Sequence, residues 1–415
     1  MADSLLERPA GFCPALRFCV CSDLHIKEEN DGHVQRLRQL MQTSYAIAKA
    51  DPLYQKLDAF LFAGDLTDRG RPDQFRAFWN AVQSELQEGT QVLACIPRYH
   101  DNWEFGKGGE KTGLRHYRAI TGLSTDTHLQ IGPFHFIAVS TSEKDRYYDA
   151  GQKRWLKRAL QEAARDNPNA PVFFMQHEHV RNTVYGSSLF DGWGLTYFSR
   201  VFAKYPNLVH FSGHSHYPLN DPRSVFQKDF TAVGTGALSY AEFTVGAERT
   251  VHPPQCEEIS QGWIVEVDSA NTAVLRGYDF LSGDLLCTYV LRFPADKAAF
   301  PFTPARQKAR SAPPRFPDDA ALQLEQTETA LLCTCPAANS GDAFPVFRYV
   351  AEGKDEAGAV VCSGYTLHEY WFTHEKPVYT VSLPAKSGIR TVAVRAENAY
   401  GMASPPITKE VSFDV

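Results

Sequence analysis

Four short motifs of this 415-residue sequence carry aspartate, histidine or both. The motifs read SDLH at residues 22–25, GDLTDRG at 64–70, QHEH at 176–179 and GHSH at 213–216. Imidazole and carboxylate groups together favour Zn, Mn, Fe or Ni over Ca or Mg alone. The motifs therefore predict a transition-metal site, with candidate ligands Asp23, His25, Asp65, His177, His214 and His216.

Each motif directly follows a short apolar run that is typical of a buried strand. These runs cover residues 16–21, 59–63, 172–176 and 209–212. Ligands of α/β proteins gather at the carboxyl ends of strands, so motifs far apart in the sequence can converge. Any one motif alone is more often a surface turn or a solvated loop. Four of them in this arrangement indicate a specific site, because the residue types, their spacing and their positions after apolar strands all agree.

The elements around the motifs indicate an α/β fold. Segments with helix-like spacing of apolar residues lie between the early strands, at residues 34–50, 74–86, 152–164 and 194–204. Beyond residue 225 the pattern changes to strands alone, up to about residue 291. An α/β region that ends in a β-rich half predicts two packed sheets flanked by helices.

Together the motifs resemble those of the calcineurin-like metallophosphoesterase superfamily, whose blocks are DxH, GDxxxxG, GNHD or GNHE, a single His, and GHxH. Four blocks are intact here, and Gln152, Trp155 and Leu156 resemble the QxxWL helix before the single His. The resemblance covers residues 1–300 and implies a four-layer αββα sandwich. It also implies a dinuclear site for two divalent or trivalent metals, with Mn, Fe, Zn and Ni left open.

The resemblance also implies a role for each ligand. The first metal would take Asp23, His25 and His216, and Asp65 would bridge the two metals. The second metal would take His177 and His214.

The resemblance further implies the acid–base residues. His100 would face the leaving group and protonate it, and Asp68 resembles the acid that orients this histidine. Arg69 could clamp phosphate. The alternative for Asp68 and Arg69 is an exposed ion pair in a loop, which is common at protein surfaces.

The third block is also where the sequence departs from the family, because GNHD stands here as Arg98-Tyr99-His100-Asp101. Tyr99 replaces the asparagine that ligates the second metal. Three interpretations remain open: Tyr99 binds as a phenolate, it turns away and leaves the second metal weakly held, or Asn102 supplies the amide instead. We favour a weakened second site, since a phenol with a pKa of about 10 is a poor ligand unless the metal lowers that pKa.

The implied activity is metal-dependent hydrolysis of a small-molecule phosphate ester, either a phosphomonoester or a phosphodiester. A metal-activated hydroxide would attack phosphorus, as two-metal sites generally allow. The alternative, raised by Tyr99, is a catalytically impaired binding or scaffold protein that keeps the fold.

A second region follows the α/β part. Residues 294–317 are rich in Pro, Ala and Arg and show no apolar periodicity, so we expect an inter-domain linker at 301–317. Residues 318–415 alternate strands and turns, and VAVRAENAYG at 392–401 is similar to the closing strands of a fibronectin type III domain. The sequence therefore predicts a small all-β immunoglobulin-like sandwich, through which a protein partner could bind.

Bulk properties limit the other possibilities. A net charge of -6 and a pI of about 6.2 give no basic footprint for nucleic acid. No apolar run is long enough to span a membrane, and the N-terminus lacks the pattern of a secretory signal. With nine cysteines read as reduced thiols, we expect a cytoplasmic protein.

Overall fold

The structure is a computed structural model that describes residues 8–102, 112–142, 147–187, 196–246, 248–341, 344–372 and 376–412. It divides the chain into two compact units, Met1–Thr303 and Pro304–Val415. They are called unit 1 and unit 2 below.

The first sheet of unit 1 is mixed. In spatial order its strands are β14 (Asp284–Arg292), β13 (Thr272–Asp279), β12 (Gln261–Asp268), β1 (Pro14–Cys21), β2 (Ala59–Phe62) and β3 (Gln91–Ala94). β1, β2 and β3 run parallel, whereas β12, β13 and β14 are antiparallel to their neighbours. The parallel half carries the first two aspartate motifs directly after β1 and β2.

The second sheet of unit 1 is mixed as well. In spatial order its strands are β4 (Asp126–Ile131), β5 (Phe134–Val139), β6 (Val172–Met175), β7 (Leu208–Ser212), β9 (Thr231–Gly234) and β8 (Val225–Gln227). Its four inner strands are parallel, and β4 and β8 pair antiparallel at the two edges. The two histidine motifs follow β6 and β7. A separate hairpin pairs β10 (Phe243–Val245) with β11 (Glu248–Val251).

Five helices of unit 1 lie within the described residues: α1 (Gly32–Ala50), α2 (Pro72–Glu85), α3 (Thr112–Thr121), α4 (Ala150–Asp166) and α5 (Thr196–Phe202). Their starts follow local chemistry. Asp31 caps α1 by accepting from Val34 N, Pro72 opens α2, and Asp149 and Gln152 form a capping box at α4. Four of the five correspond to predicted helices; α3 was not predicted.

Three apolar cores separate four layers. One core lies between the two sheets, and Phe18, Phe136 and Phe173 pack edge-on or tilted at its centre. A second core joins the first sheet to α1, α2 and α3. A third joins the second sheet to α4 and α5. Because side chains alternate along β1, Phe18 faces the other sheet while Cys19 faces the helices.

Unit 2 is all-β apart from the helix α6 (Pro304–Arg310). One sheet has the order β15 (Gln323–Gln326), β16 (Ala330–Pro336) and β19 (Val378–Pro384). The other has the order β18 (Val360–Leu367), β17 (Val346–Lys354), β20 (Thr391–Asn398) and β21 (Ile407–Glu410). Alternate residues of both sheets form one core. Its resemblance to a fibronectin type III domain stays a prediction.

The segment expected to be a linker is partly ordered structure. Residues 304–310 form α6, and Ser311 Oγ accepts a hydrogen bond of 2.5 Å from Asn398 Nδ2 of unit 2. Phe316 packs on Tyr349 with ring centroids 6.1 Å apart. Composition alone did not reveal these contacts, because they depend on strands far along the chain. In the described part of the chain, no helix has the length and apolarity needed to cross a membrane.

Candidate metal centre

The four motifs meet at the carboxyl ends of β1, β2, β6 and β7. Backbone hydrogen bonds join the first two loops: Asp23 N donates to Gly64 O at 3.0 Å, and Leu24 N donates to Asp65 O at 2.8 Å. The loop after β7 joins them through His214 N, which donates to both carboxylate oxygens of Asp23 at 3.1 and 3.0 Å. The backbone therefore holds the candidate ligands in one place before any metal binds.

Seven candidate residues fall into three overlapping groups in the described residues. The groups are Asp23–His25–His216, His25–Asp65–His100 and Asp65–His177–His214, and the ligand atoms within each lie within 4.8 Å of one another. All but His100 and His214 are buried. His25 and Asp65 each belong to two groups, so the clusters form one continuous site.

The two carboxylate oxygens of Asp23 have different side-chain neighbours. Ser22 Oγ donates to Asp23 Oδ2. Asp23 Oδ1 lies 3.1 Å from His216 Nε2, 3.8 Å from His177 Nε2 and 4.0 Å from His25 Nε2. Three imidazole nitrogens therefore converge on a single carboxylate oxygen.

Asp65 lies between the two outer groups. Its Oδ2 is 3.1 Å from His177 Nε2 and 3.8 Å from His25 Nε2. Its Oδ1 is buried and has no hydrogen-bond partner among the described residues. Such an orphaned carboxylate oxygen is costly in a protein interior unless a cation or a donor meets it. The donor set and this orphaned oxygen fit a metal site.

The backbone at the ligands is strained. Asp23, His25, Asp65, His214 and His216 have φ values of 56°, 50°, 50°, 75° and 53°. Only a few per cent of non-glycine residues adopt this left-handed region. In the described residues nine non-glycine residues do so, and five of them are candidate ligands. Strain of this kind collects where function requires a particular side-chain direction.

Two glycines make room for the ligands. A Cβ at Gly64 would lie 2.6 Å from His177 Nδ1, and a Cβ at Gly213 would lie 2.6 Å from Asp23 Oδ2. Both distances are shorter than atoms tolerate, so glycine is required there.

The electrostatics of the cluster favour positive charge. Burial alone would lower the pKa of His177 and of His216, but Asp65 and Asp23 raise it above the ordinary value. The same imidazoles lower the pKa of both aspartates despite their burial. Burial lowers the pKa of His25 to about 3. Two buried carboxylates thus remain ionised, and bound cations would neutralise them as protonated histidines do otherwise.

His100 lies at the rim of the site. Its ring meets that of His25 edge-on, with centroids 4.5 Å apart. Its Nδ1 donates to the backbone carbonyl of Asp68 at 3.0 Å, because a carbonyl can only accept. The other ring nitrogen, Nε2, is therefore free of this bond.

Asp68 and Arg69 lie in the loop beside His100. Asp68 contacts His100 through its backbone carbonyl. The carboxylate pairs instead with Arg69 Nε at 3.1 Å, and the Arg69 side chain is 40% exposed. An ion pair of this kind was the alternative interpretation, and the roles of Asp68 and Arg69 toward substrate stay predictions.

Tyr99 and Asn102 were the candidates for the missing amide ligand. Tyr99 is 39% exposed, and the Arg98 guanidinium lies 5.4 Å from the centre of its ring. Asn102 is buried, and its Oδ1 accepts from Leu114 N of α3 at 3.3 Å. Asn102 thus helps to start a helix, and the role of Tyr99 stays a prediction.

Sequence reasoning missed Asp101. This buried carboxylate accepts from Leu66 N at 2.9 Å, from Thr67 N at 2.7 Å and from Thr67 Oγ1 at 2.8 Å. It therefore holds the loop that carries Asp65. Burial and the nearby Asp65 raise the pKa of Asp101. Its place next to His100 was visible in the sequence, but its partners were not.

Several other candidate residues lie near the site. His179 Nδ1 lies 2.6 Å from Ser212 Oγ, and Tyr148 Oη donates to Glu178 Oε2 at 3.1 Å. Tyr240 packs on His216 with ring centroids 4.3 Å apart. Trp103 and Trp193 lie outside the described residues.

Residues 16–218 match the family model Calcineurin-like phosphoesterase. The matched segment lies within unit 1 and contains all the candidate ligands. Over these residues the chain is similar to calcineurin-like phosphoesterases.

Comparison with solved structures gave distant similarities. A purple acid phosphatase from yellow lupin (Lupinus luteus) seeds is 14% identical, with a TM-score of 0.47; the match covers 67% of this chain and 53% of that one. A glycosyl hydrolase family 2 member from Bacteroides cellulosilyticus is 8% identical, with a TM-score of 0.22 and coverage of 95% and 62%. The chain thus spans about half the length of the lupin protein. No curated protein matched.

Proposed function

We propose that unit 1 hydrolyses phosphate esters with two metal ions held by the predicted ligands. Asp23, His25 and His216 would hold one ion, and His177 and His214 the other, with Asp65 shared. When bound, the ions would supply Lewis-acid stabilisation of the phosphoryl group and lower the pKa of a water molecule.

The strained backbone of the ligands is the observation that carries this proposal. Five candidate ligands adopt left-handed φ values, at a cost of order 1–3 kcal/mol each. A fold keeps such strain where it serves side-chain placement. Here it directs carboxylates and imidazoles toward one another, as the ligands of a shared metal site must be.

The residues around the ligands have distinct tasks in this scheme. Ser22 and His214 N fix Asp23, whose Oδ1 lies 3.1 Å from His216 Nε2. Asp68 O fixes the tautomer of His100, which leaves Nε2 to exchange a proton with the departing oxygen. Asp101 holds the Asp65 loop through three hydrogen bonds.

A second candidate function is a binding or scaffold protein with an impaired second metal site. The exposure of Tyr99 favours it, because a ligand turned toward solvent leaves that metal with fewer protein groups. Fewer ligands mean weaker binding of the second ion.

One experiment separates the two functions. Full-length protein is loaded in turn with Mn, Fe, Zn or Ni, its metal content is counted, and turnover of an aryl phosphomonoester and an aryl phosphodiester is measured. The hydrolase predicts metal-dependent turnover of at least one ester. Binding of inorganic phosphate without any turnover would favour the scaffold.

We also propose that unit 2 is a fibronectin type III-like module that binds a protein partner. Its two facing antiparallel sheets and separate core support an independent module. A fragment of residues 304–415 should then unfold cooperatively on its own. A fragment without cooperative unfolding would contradict this proposal.

A further inference from the structure

Tyr240 lies beside the ligands of the first group. Its ring stacks on His25 with centroids 5.8 Å apart and planes at 30°, and it tilts against His216 at 4.3 Å. His100 contacts His25 at 4.5 Å. His25 therefore contacts both Tyr240 and His100, the residue predicted to protonate the leaving group.

The backbone around Tyr240 is bonded to the ligand residues themselves. Ser239 N donates to Asp23 O at 3.2 Å, and Glu242 N donates to His216 O at 3.2 Å. Arg36 of α1 fixes the preceding residues by donating to Leu238 O at 2.9 Å and to Ser239 O. The segment is therefore tied to the metal centre and to a helix.

The β10–β11 hairpin adds a second ring beside Tyr240. His252 follows β11 and lies 5.5 Å from the Tyr240 ring, centroid to centroid. Its Nε2 lies 2.9 Å from Glu242 Oε1, and its side chain is 49% exposed. Tyr240 is itself only partly buried. Two aromatic rings thus remain accessible next to a cluster whose ligands are mostly buried.

We propose that Tyr240 determines substrate specificity by stacking on a planar alcohol portion of the phosphate ester, such as an aryl or nucleobase-bearing group. The inference rests on the proposed function, because it takes a phosphate bound at the ligands as its anchor. A rigidly held aromatic ring loses little freedom when it binds, and aromatic pairs prefer stacked or edge-on contacts.

Binding of two matched probes tests the stacking. Benzylphosphonate and cyclohexylmethylphosphonate cannot be hydrolysed and have the same number of carbons, but only the first is planar. Ordinary apolar contact would favour the cyclohexyl group, which has more surface. We expect metal-loaded protein to bind benzylphosphonate about 3- to 10-fold more tightly by calorimetry, the range of one aromatic pair.

Three variants identify the ring responsible. Tyr240→Leu should remove the preference, and Tyr240→Phe should keep it because the ring remains. Tyr205→Leu is the matched control, since Tyr205 lies near the starts of β6 and β7, at the opposite end of the sheet. Equal binding of the probes, no binding of either, or a preference that survives Tyr240→Leu would overturn the inference.

Hydrolysis of benzyl phosphate and cyclohexylmethyl phosphate is measured in parallel. Turnover of both at equal kcat/KM, with no effect of Tyr240→Leu, contradicts the stacking and leaves the proposed function intact. Selective binding of benzylphosphonate without turnover of any ester contradicts the proposed function and leaves the stacking intact.

Discussion

Two buried clusters of charge lie on unit 1, and strand β1 contributes to both. The arginine cluster, near the start of β1, consists of Arg8, Arg17, Arg276, Asp51 and Glu266. The ligand cluster, just after the end of β1, contains Asp23 and the other candidate ligands. Arg17 and Glu266 are fully buried, and their side chains meet at 2.7 Å.

The clusters differ in how their charges are satisfied. Glu266 accepts from Arg8, Arg17 and Arg276, with Nη–Oε distances of 2.7, 2.7 and 2.6 Å. In the ligand cluster, by contrast, Asp65 Oδ1 has no hydrogen-bond partner among the described residues, and Asp65 Oδ2 faces imidazoles rather than arginines.

The difference separates stability from function. A buried carboxylate that accepts from three arginines is paired within the protein, and breaking such a pair leaves an unpaired charge. A cluster that is incomplete and strained is unfavourable until something binds. We therefore expect substitutions in the arginine cluster to lower the stability of unit 1 without loss of metal. Substitutions in the ligand cluster should remove metal and activity with little change in stability.

The largest expected effect on activity follows Asp65→Asn. Asparagine keeps the shape of the side chain but removes the charge that both ligand groups share. Changing only residues that orient metal ligands costs about 10- to 100-fold in activity or affinity. We therefore expect Asp65→Asn to lose more than about 100-fold in kcat/KM together with its metal, with little change in the thermal midpoint of the metal-free protein.

Metal counting and unfolding of metal-free samples provide the test. Wild-type turnover with full metal content in Asp65→Asn would show that the ligand assignment is wrong. The matched control is Glu266→Gln. It makes the same change of carboxylate to amide at a buried position of unit 1 outside the ligand cluster.

The convergence of the four motifs could be predicted from the sequence because each motif directly follows an apolar strand. The strands fix the positions of the motifs, and parallel strands bring their ends together. The same reasoning could not find Asp101 or the carbonyl role of Asp68. Those contacts depend on how separate loops meet, and no local pattern records that.

The arginine cluster was not predicted for the same reason. Arg17 and Glu266 are 249 positions apart, and each alone looks like a surface residue. Helix α3 was also missed, and it follows residues that lie outside the described part of the chain. Patterns thus predicted elements and motifs, but not tertiary pairings.

The second effect concerns His100. A positioned general acid contributes about 10²- to 10⁴-fold when the leaving group needs a proton. His100→Ala should therefore lower kcat for an alkyl phosphate by that factor and largely spare an aryl phosphate with an acidic phenol. Equal losses on both esters would indicate a role in holding metal or structure instead.

The third effect is on stability. Glu266→Gln leaves buried guanidinium groups without their shared carboxylate, and breaking a buried pair costs about 3–5 kcal/mol. We expect thermal unfolding of unit 1 at a midpoint roughly 5–10 °C lower, with metal content of the folded protein unchanged. Loss of metal in this variant would mean that the two clusters are coupled.

The same cluster gives a pH dependence with a definite sign. Burial alone would raise the pKa of Glu266, but Arg8, Arg276 and Arg17 lower it to about 2. The unfolded chain has the ordinary value of about 4.3. The stabilisation is therefore fully present above about pH 4.3 and is lost as the pH falls toward 2. Glu266→Gln should flatten the acid limb of the unfolding curve over that window.

The smallest expected effect concerns Tyr99, which bears on how complete the ligand cluster is. Tyr99 is 39% exposed and packs against Arg98, so we expect it not to hold metal. Tyr99→Phe should then leave metal content and turnover within about 2-fold of wild type, as surface changes usually do. Tyr99→Asn should raise occupancy of the second metal, because an amide oxygen binds without losing a proton.

Arg98 crowds the same loop, so the double variant Arg98→Gly with Tyr99→Asn is the sharper form of this test. Metal counting on the wild type and on each variant measures the second ion directly. A fall in occupancy in Tyr99→Phe would instead support a phenolate ligand, and an iron-loaded wild type would then show a visible charge-transfer band that the variant lacks. If the wild type holds two ions tightly and Tyr99→Phe changes nothing, residue 99 is not needed to hold the second ion. The second ion must then take its remaining ligand from elsewhere in the chain.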